Sequence, residues 1–252
     1  MVTSKSKWKK YLTLKKNKEV ARHLPKTIRF SLEEKLWNFV EKYHAVIIKP
    51  CLGSRGKNIL KITALESDKF KIHYLNRKQE FIGKDSAYAY LQKTKAPTPY
   101  IVQRYIPLAN IQGHPFDIRV IVQKQKNTNE WVVTGKVAKL AGKGFFVTNN
   151  KLSGGTALPV AEAIEASNIH KSYKNSEKLV SELERIALLA TKTLEERNQG
   201  RHIYGFDMGI DSDGHIWIIE ANLKPMLSHF FKLQDKTMYH TIKELREFHE
   251  GK

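Results

Sequence analysis

A single cysteine, Cys51, stands among the 252 residues of this chain, so no intrachain disulfide framework can hold it together. Long apolar runs are missing as well. The unbroken ones, such as Ala45–Ile48 and Ile186–Ala190, are far too short to cross a bilayer. The cationic start, MVTSKSKWKKY, has no apolar stretch behind it and does not read as a signal peptide. Acid is scarce: 25 Asp and Glu stand against 44 Lys and Arg, a formal charge of +19. No internal repeat, low-complexity tract or Ser/Gly linker appears, which argues for one compact unit. What is present, 41% apolar and 10% aromatic residues, suits a globular protein. A compact chain of this length buries roughly 70–75% of its unfolded surface, enough core without disulfides or metals. The expectation is a soluble protein of the cytoplasm.

The positive charge is unevenly spread, with 9 basic residues against one acid in residues 1–26. Such a surface attracts nucleotides, acidic polymers, nucleic acid and anionic lipid alike, and also serves as plain solvated surface. No zinc finger, aromatic RNA-binding signature or basic helix with heptads accompanies it, so nucleic acid is not an expected partner.

Ser31-Leu32-Glu33-Glu34 has the form of a capping box, and Leu32, Leu36, Phe39, Val40 and Tyr43 recur at helical spacing. An amphipathic helix is predicted over 31–43. Ala45–Lys49 reads as a short strand stopped by Pro50, followed by a Gly-bearing loop (Cys51–Asn58) and a hairpin of Ile59–Ile62 with Phe70–Leu75. Further strands are predicted at Tyr100–Ile106, Asp117–Lys124 and Trp131–Leu140. The longest helix, about 173–198, carries the stripe Leu179, Leu183, Ile186, Ala187, Ala190 and Leu194, with Gly200 as its stop. Strands at Ile203–Asp211 and His215–Asn222 and a charged helix near 235–249 complete an α+β pattern.

The most informative segment runs from Gly205 to Asn222. Asp213-Gly214 is a strong hairpin turn, and a two-residue loop there sets Asp207 directly across from Glu220. Asn222 shares the face of Glu220, while Trp217, Ile219 and Ala221 point the other way. Two carboxylates opposed at about 5 Å repel by about 3 kcal/mol at an effective dielectric near 20. A hard cation such as Mg²⁺, bound by two carboxylates and an amide oxygen, offsets this, and so does a bridging Lys or Arg or one protonated carboxyl. The acids of Asp211-Ser212-Asp213-Gly214 read as a turn rather than a calcium loop. In the second segment, Val46–Ile59, Lys49 closes a buried strand and aims an ammonium at whatever anion lies beside the sheet. Gly53, Ser54 and Gly56 offer backbone amides that suit phosphates, though the spacing is not that of a Walker A loop. Cys51 reads as a small packed residue.

Taken together, these segments resemble the ATP-grasp superfamily, and within it the YheC/YheD-like proteins of spore-forming bacteria, over about Lys7 to Leu233. Lys7-Trp8 with Leu24-Pro25-Lys26-Thr27 looks like the opening helix and "LPxT" stretch, and Val46–Asn58 like the "KPxxGSxG" strand and loop. Ile101–Pro107 looks like the adenine hinge, Phe116–Val120 like the "DxR" strand, Asn150–Gly155 like the "NxxxGG" loop and Glu220-Ala221-Asn222 like the "ExN" metal strand. The resemblance implies one ATP-grasp unit of two α+β subdomains, about 1–104 and 105–252, gripping ATP between them. It implies that Lys49 and Lys7 contact phosphates under Gly53, Ser54 and Gly56, and that Gln103, Arg104, Tyr105 and Ile106 present backbone groups to adenine. Asp207, Glu220 and Asn222 would hold Mg²⁺, with Arg119 neutralising the transferring phosphoryl group. Lys139 stands where relatives often carry an arginine facing an acyl phosphate, and Asn150, Gly154 and Gly155 belong to the substrate loop. Leu108–His114 offers Asn110 and Gln112 but no carboxylate for the ribose. The implied activity is ATP-dependent ligation of a carboxylate, small or carried on an anionic polymer, to an amine. An ATP-binding, spore-coat-associated protein without turnover and a basic nucleic-acid binder are the alternatives. The chain is shorter than full-length relatives, and the domain that precedes the core in them is expected to be missing.

Overall fold

The computed structural model describes residues 5–53, 56–148 and 155–251. Its first sheet is antiparallel, in the order β1 (Thr27–Arg29), β6 (Tyr100–Arg104), β2 (Ala45–Pro50), β3 (Leu60–Ala64), β4 (Lys69–Tyr74), β5 (Arg77–Ile82). Helices α3 (Glu33–Tyr43) and α4 (Lys84–Thr94) cover one face. There Leu36, Trp37, Val40 and Leu91 meet Val46, Ile48, Leu60, Ile62 and Ile72 in a closed apolar cluster. The opposite face, with Ile47, Lys49 and Gln103, looks into a cleft.

The second sheet runs β10 (Ala157–Leu158), β9 (Trp131–Leu140), β8 (His114–Lys124), β11 (Ile203–Ile210), β12 (Ile216–Asn222), with β7 (Asn110–Ile111) folded back on β8. Phe116, Ile118, Val120, Phe206 and Met208 project to one side. They pack there beneath α5 (Val160–Ala166) and α6 (Ser176–Glu195), the latter through the predicted leucine and alanine stripe. Two N-terminal helices, α1 (Lys7–Leu14) and α2 (Lys18–Arg22), join this same layer through Tyr11, Leu14, Val20 and Leu24. On the other side, α7 (Thr237–Glu250) and a 3₁₀ turn (Phe230–Lys232) cover part of the sheet with Phe230, Leu233 and Ile242. The part they leave bare faces the cleft. This two-sheet α+β architecture is the one expected.

Local expectations fail in two instructive places. The capping box does not form: α3 begins at Glu33 after an extended Leu32 and has no side-chain cap. Phe30 still donates its amide to Tyr100 O (3.0 Å), which keeps the chain in line with β1 right up to the expected cap, Ser31. The β11–β12 turn is one residue longer than predicted. Asp211 pairs with His215 (N to O, 3.1 Å), Gly214 closes a turn onto Asp211 O and adopts φ +77°, the left-handed position a G1-type hairpin demands.

Candidate active site

That longer turn alone would place Ile219, not Glu220, opposite Asp207. A bulge between Asp207 and Met208 shifts the register by one residue, and Asp207 does face Glu220. The predicted pairing therefore holds, but two departures produce it rather than one ideal hairpin. One expectation is corrected: Ile219 lines the cleft together with Glu220, and the ring of Trp217 lies 5.9 Å from the Arg104 guanidinium at the cleft wall. Ala221 does point into the core. Asp211 is consumed by the turn, accepting from the amides of Asp213 (3.1 Å) and His215 (2.9 Å) and from Trp217 Nε1 (2.8 Å), as a turn rather than a calcium loop requires.

The cleft has a volume of about 370 Å³ and lies between the two sheets. On its floor, β11 reads Gly205-x-Asp207-x-Gly209. A Cβ at Gly205 would run into Pro225 and one at Gly209 into Leu108, so both glycines let flanking segments close over the strand around Asp207. Strand register then does the placing: Asp207 lies opposite Arg119 of β8, and Asp117 of β8 lies opposite Lys139 of β9. Arg119 grips the Asp207 carboxylate with Nε (3.0 Å to Oδ1) and Nη2 (3.1 Å to Oδ2). Lys139 Nζ lies 2.6 Å from Asp207 Oδ1 and 2.8 Å from Asp117 Oδ1. Asn222 Nδ2 donates to Asp207 Oδ2 (3.0 Å), and Thr148 Oγ1 donates to Asp117 Oδ2. Burial alone would raise the Asp207 pKa, but Arg119 and Lys139 outweigh it and hold the carboxyl well below the usual range. For Asp117 burial wins over Lys139 and its carboxyl is pushed up. His229 sits at 7% exposure on the cleft wall, and burial together with the Lys139 and Arg119 charges lowers it to about 4.

Across the cleft, Lys49 Nζ donates to Gln103 Oε1 (2.8 Å) and to Ile219 O (3.2 Å), and Gln103 in turn donates to Thr27 Oγ1 (3.0 Å). Its burial lowers the ammonium to about 8, against the pull of Glu220. Lys7 opens a smaller adjacent cavity, bridging Gly53 O (2.8 Å) and Glu220 Oε1 (3.3 Å). Lys10, which the sequence patterns passed over, is buried beside it and donates to Ala221 O between the two expected metal-binding side chains. Gly56 lines the cleft, while Ser54, Asn150 and Gly154 lie outside the described residues. Gly155 is buried just before β10 and does not line the cleft. At the hinge, the amides of Arg104 and Tyr105 are engaged by Lys26 O (2.8 Å) and Ala45 O (3.0 Å). Among the described residues, Ile106 is the next one along, and its backbone has no partner. Asn110 and Gln112 belong to the β7–β8 hairpin away from the cleft; Asn110 Oδ1 accepts from Gly113 N (2.9 Å). Cys51 is packed, and burial pushes its thiol up.

Aspartate, glutamate and asparagine present only oxygen to a cation, which suits a hard one in kind. Glu220, its side chain 21% exposed with Lys7 at one oxygen, and Asn222, whose amide oxygen has no partner among the described residues, fit as they stand. Asp207 fits once Lys139 leaves it. In the arrangement seen here, Arg119, Lys139 and Lys7 neutralise the facing carboxylates, and among the described residues no three His, Cys, Asp or Glu side chains cluster as metal ligands do.

The YheC/D-like ATP-grasp family matches residues 3–249. The chain belongs to that family. Two curated relatives come from Bacillus subtilis (strain 168). The endospore coat-associated protein YheD is 29% identical over 89% of this chain and 49% of its own length. The endospore coat-associated protein YheC is 26% identical over 87% of the chain and 59% of its own length. The chain thus spans about half the length of these relatives. Among solved structures, D-cycloserine synthetase DcsG superposes with a TM-score of 0.57 at 10% identity, covering 97% of this chain and 70% of that one. The ADP complex of the N5-carboxyaminoimidazole ribonucleotide synthetase PurK gives 0.55 at 13% identity, over 96% of this chain and 51% of that one. The ATP-grasp ligase PsnB, complexed with precursor peptide PsnA2 and AMPPNP, gives 0.53 at 15%, over 97% and 58%. At such identities the likeness is one of fold. Among the described residues no helix is long and apolar enough to cross a membrane.

Proposed function

We propose that this chain binds ATP with Mg²⁺ in the cleft and uses it to join a carboxylate to an amine through an acyl phosphate. The observation that carries the reading is the convergence of Lys49, Arg119, Lys139, Asp207, Glu220 and Asn222 on one cavity between two sheets. Adenine would lie against Ile47, Tyr105 and Leu108 and bond the open Ile106 backbone. Lys49 and Lys7 would take the phosphates, with the Gly53, Ser54 and Gly56 loop above them. Asp207, Glu220 and Asn222 would hold Mg²⁺, which neutralises phosphate charge. Arg119 presents a rigid fork to the transferring phosphoryl group, and Lys139 stands beside it facing the acyl phosphate. A carboxylate oxygen attacks the γ-phosphorus and ADP departs. The amine, losing a proton, then attacks the carbonyl carbon and phosphate leaves. No side chain acts as nucleophile; the chain contributes positioning and fixed charge. The segment with Asn150, Gly154 and Gly155 is assigned to the substrate loop. The +19 charge favours an acid that is small and anionic or carried on an anionic polymer. The fold neighbours, an ATP-grasp ligase and a synthetase among them, support the chemistry, and the names of the curated relatives support a place at the spore.

A second reading, ATP binding at the spore coat without turnover, draws on the engagement of Asp207 and Glu220 by the chain's own cations. Calorimetric titration with AMPPNP, with and without Mg²⁺, tests what both readings share. Mg²⁺-dependent binding is expected, weakened about tenfold or more in Glu220→Gln. Absence of binding to the wild type overturns both. ADP release with an acid and amine pair separates them.

A further inference from the structure

Lys139 sits between two carboxylates. Its register partner is Asp117, directly opposite on β8, yet its shorter contact is with Asp207, one strand further on (2.6 Å against 2.8 Å). Asp117 is a half-filled seat. Thr148 fixes its Oδ2, while Oδ1 is buried and, among the described residues, receives no well-directed hydrogen bond even with the ammonium close by. The ammonium has three donors on a flexible stem and needs little movement to fill that seat. Arg119 has no such freedom, since its fork lies side-on to Asp207 and its Nη1 reaches Met226 O (3.4 Å). Two cations and two anions are balanced here in a buried pocket. A divalent cation arriving at Asp207 would meet the Lys139 charge on the same oxygen.

From this we infer that Asp117 is a positioning residue, which receives the Lys139 ammonium when Asp207 turns to a divalent cation. The inference rests on the Mg²⁺ reading of Asp207, Glu220 and Asn222 above. Lys139 then acts as a resident stand-in for the metal: it keeps Asp207 neutralised while the site is empty and stays in the cleft, beside Arg119, once the metal is bound. Asp117 sets how readily the exchange occurs.

The test is AMPPNP affinity across a series of free Mg²⁺ concentrations for wild type, Asp117→Asn, Lys139→Met and the double variant. In Asp117→Asn the ammonium has nowhere to go, so the Mg²⁺ concentration for half the effect rises about tenfold, the size of coupling close charges show. In Lys139→Met it falls below the wild-type value, and the double variant behaves as Lys139→Met. Thr148→Val, which loosens the seat without removing its charge, moves the midpoint the same way by about threefold and serves should Asp117→Asn melt early. A wild type that responds to Mg²⁺ while Asp117→Asn and Thr148→Val leave the midpoint unchanged overturns the inference alone. So does an Asp117→Asn shift that persists undiminished in the Lys139→Met background. A wild type indifferent to Mg²⁺ overturns the metal reading, and this inference with it.

Discussion

The two sheets that form the cleft are built on different principles. The first turns an apolar face to α3 and α4 and offers the cleft little beyond Lys49, Gln103 and the hinge backbone. The second carries Asp117, Arg119, Lys139, Asp207, Glu220 and Asn222 on one face, most of them charged and nearly all held by partners on neighbouring strands. One sheet is a shaped wall and the other a field of fixed charges. In the proposed function, the contrast divides binding from chemistry: a wall would suffice to hold a planar base, whereas stabilising a moving phosphoryl charge would take preorganised dipoles and ions.

The sharpest way to break this contrast is to remove the centre of the charged field. Asp207→Ala strands Arg119 without its counter-charge and leaves Lys139 with Asp117 alone, and denaturant unfolding should show a loss of about 3–5 kcal/mol. Ile62→Ala in the first sheet creates a cavity, and its loss of about 3 kcal/mol should come with unchanged AMPPNP binding at protein concentrations where the fold persists. An Asp207→Ala protein as stable as wild type would mean that the ionic field contributes nothing to the fold.

A third test uses acidity. The His229 pKa is about 4 in the fold and near 6.5 when unfolded, so the unfolded chain binds more protons between those values. Stability therefore rises with pH across that window, and is lost as pH falls through it, by up to about 1.4 kcal/mol per pH unit for this one group. His229→Gln should flatten that slope in pH-dependent unfolding; an unaltered slope assigns it to other groups. The smallest effect belongs to the outer rim of the first sheet. Lys71 and Glu80 pair at 2.9 Å with both side chains well exposed, and Glu80→Gln should leave the melting temperature where it was.

How far these regions were legible in sequence follows the same division. β2, β9 and the α6 stripe carry dense apolar patterns and were read within a residue or three. β5 and α4 went unread: Arg77–Ile82 is an exposed, charged edge strand, and α4 buries only Ala87 and Leu91, so neither shows the period that burial imposes. At the site, Arg119, Lys139, Asp207, Glu220 and Asn222 were legible as residues, because motif order marks them. Their partners were not. Which carboxylate Lys139 meets depends on the β8–β9 register, and the face Glu220 occupies depends on a bulge that no local residue pattern announces. Asp117 was visible only as the first residue of the "DxR" strand and Lys10 only as part of the basic start; neither had a role assigned, because those roles arise from contacts between distant strands and helices.

The helix that carries Lys7 and Lys10 has one further consequence, and it concerns time. Lys10 bonds a carbonyl 211 residues downstream. During synthesis α1 leaves the ribosome well before β12, and at ordinary elongation speeds roughly 10–40 s separate the two. Until β12 arrives, Lys10 has no carbonyl to hold, and the small cavity beside Lys7, Tyr11 and Leu14 lacks its Ile218–Ala221 wall. This corner of the cleft is thus closed by segments made far apart in time, and a probe of the closed cleft reports that everything from α1 to β12 has been made.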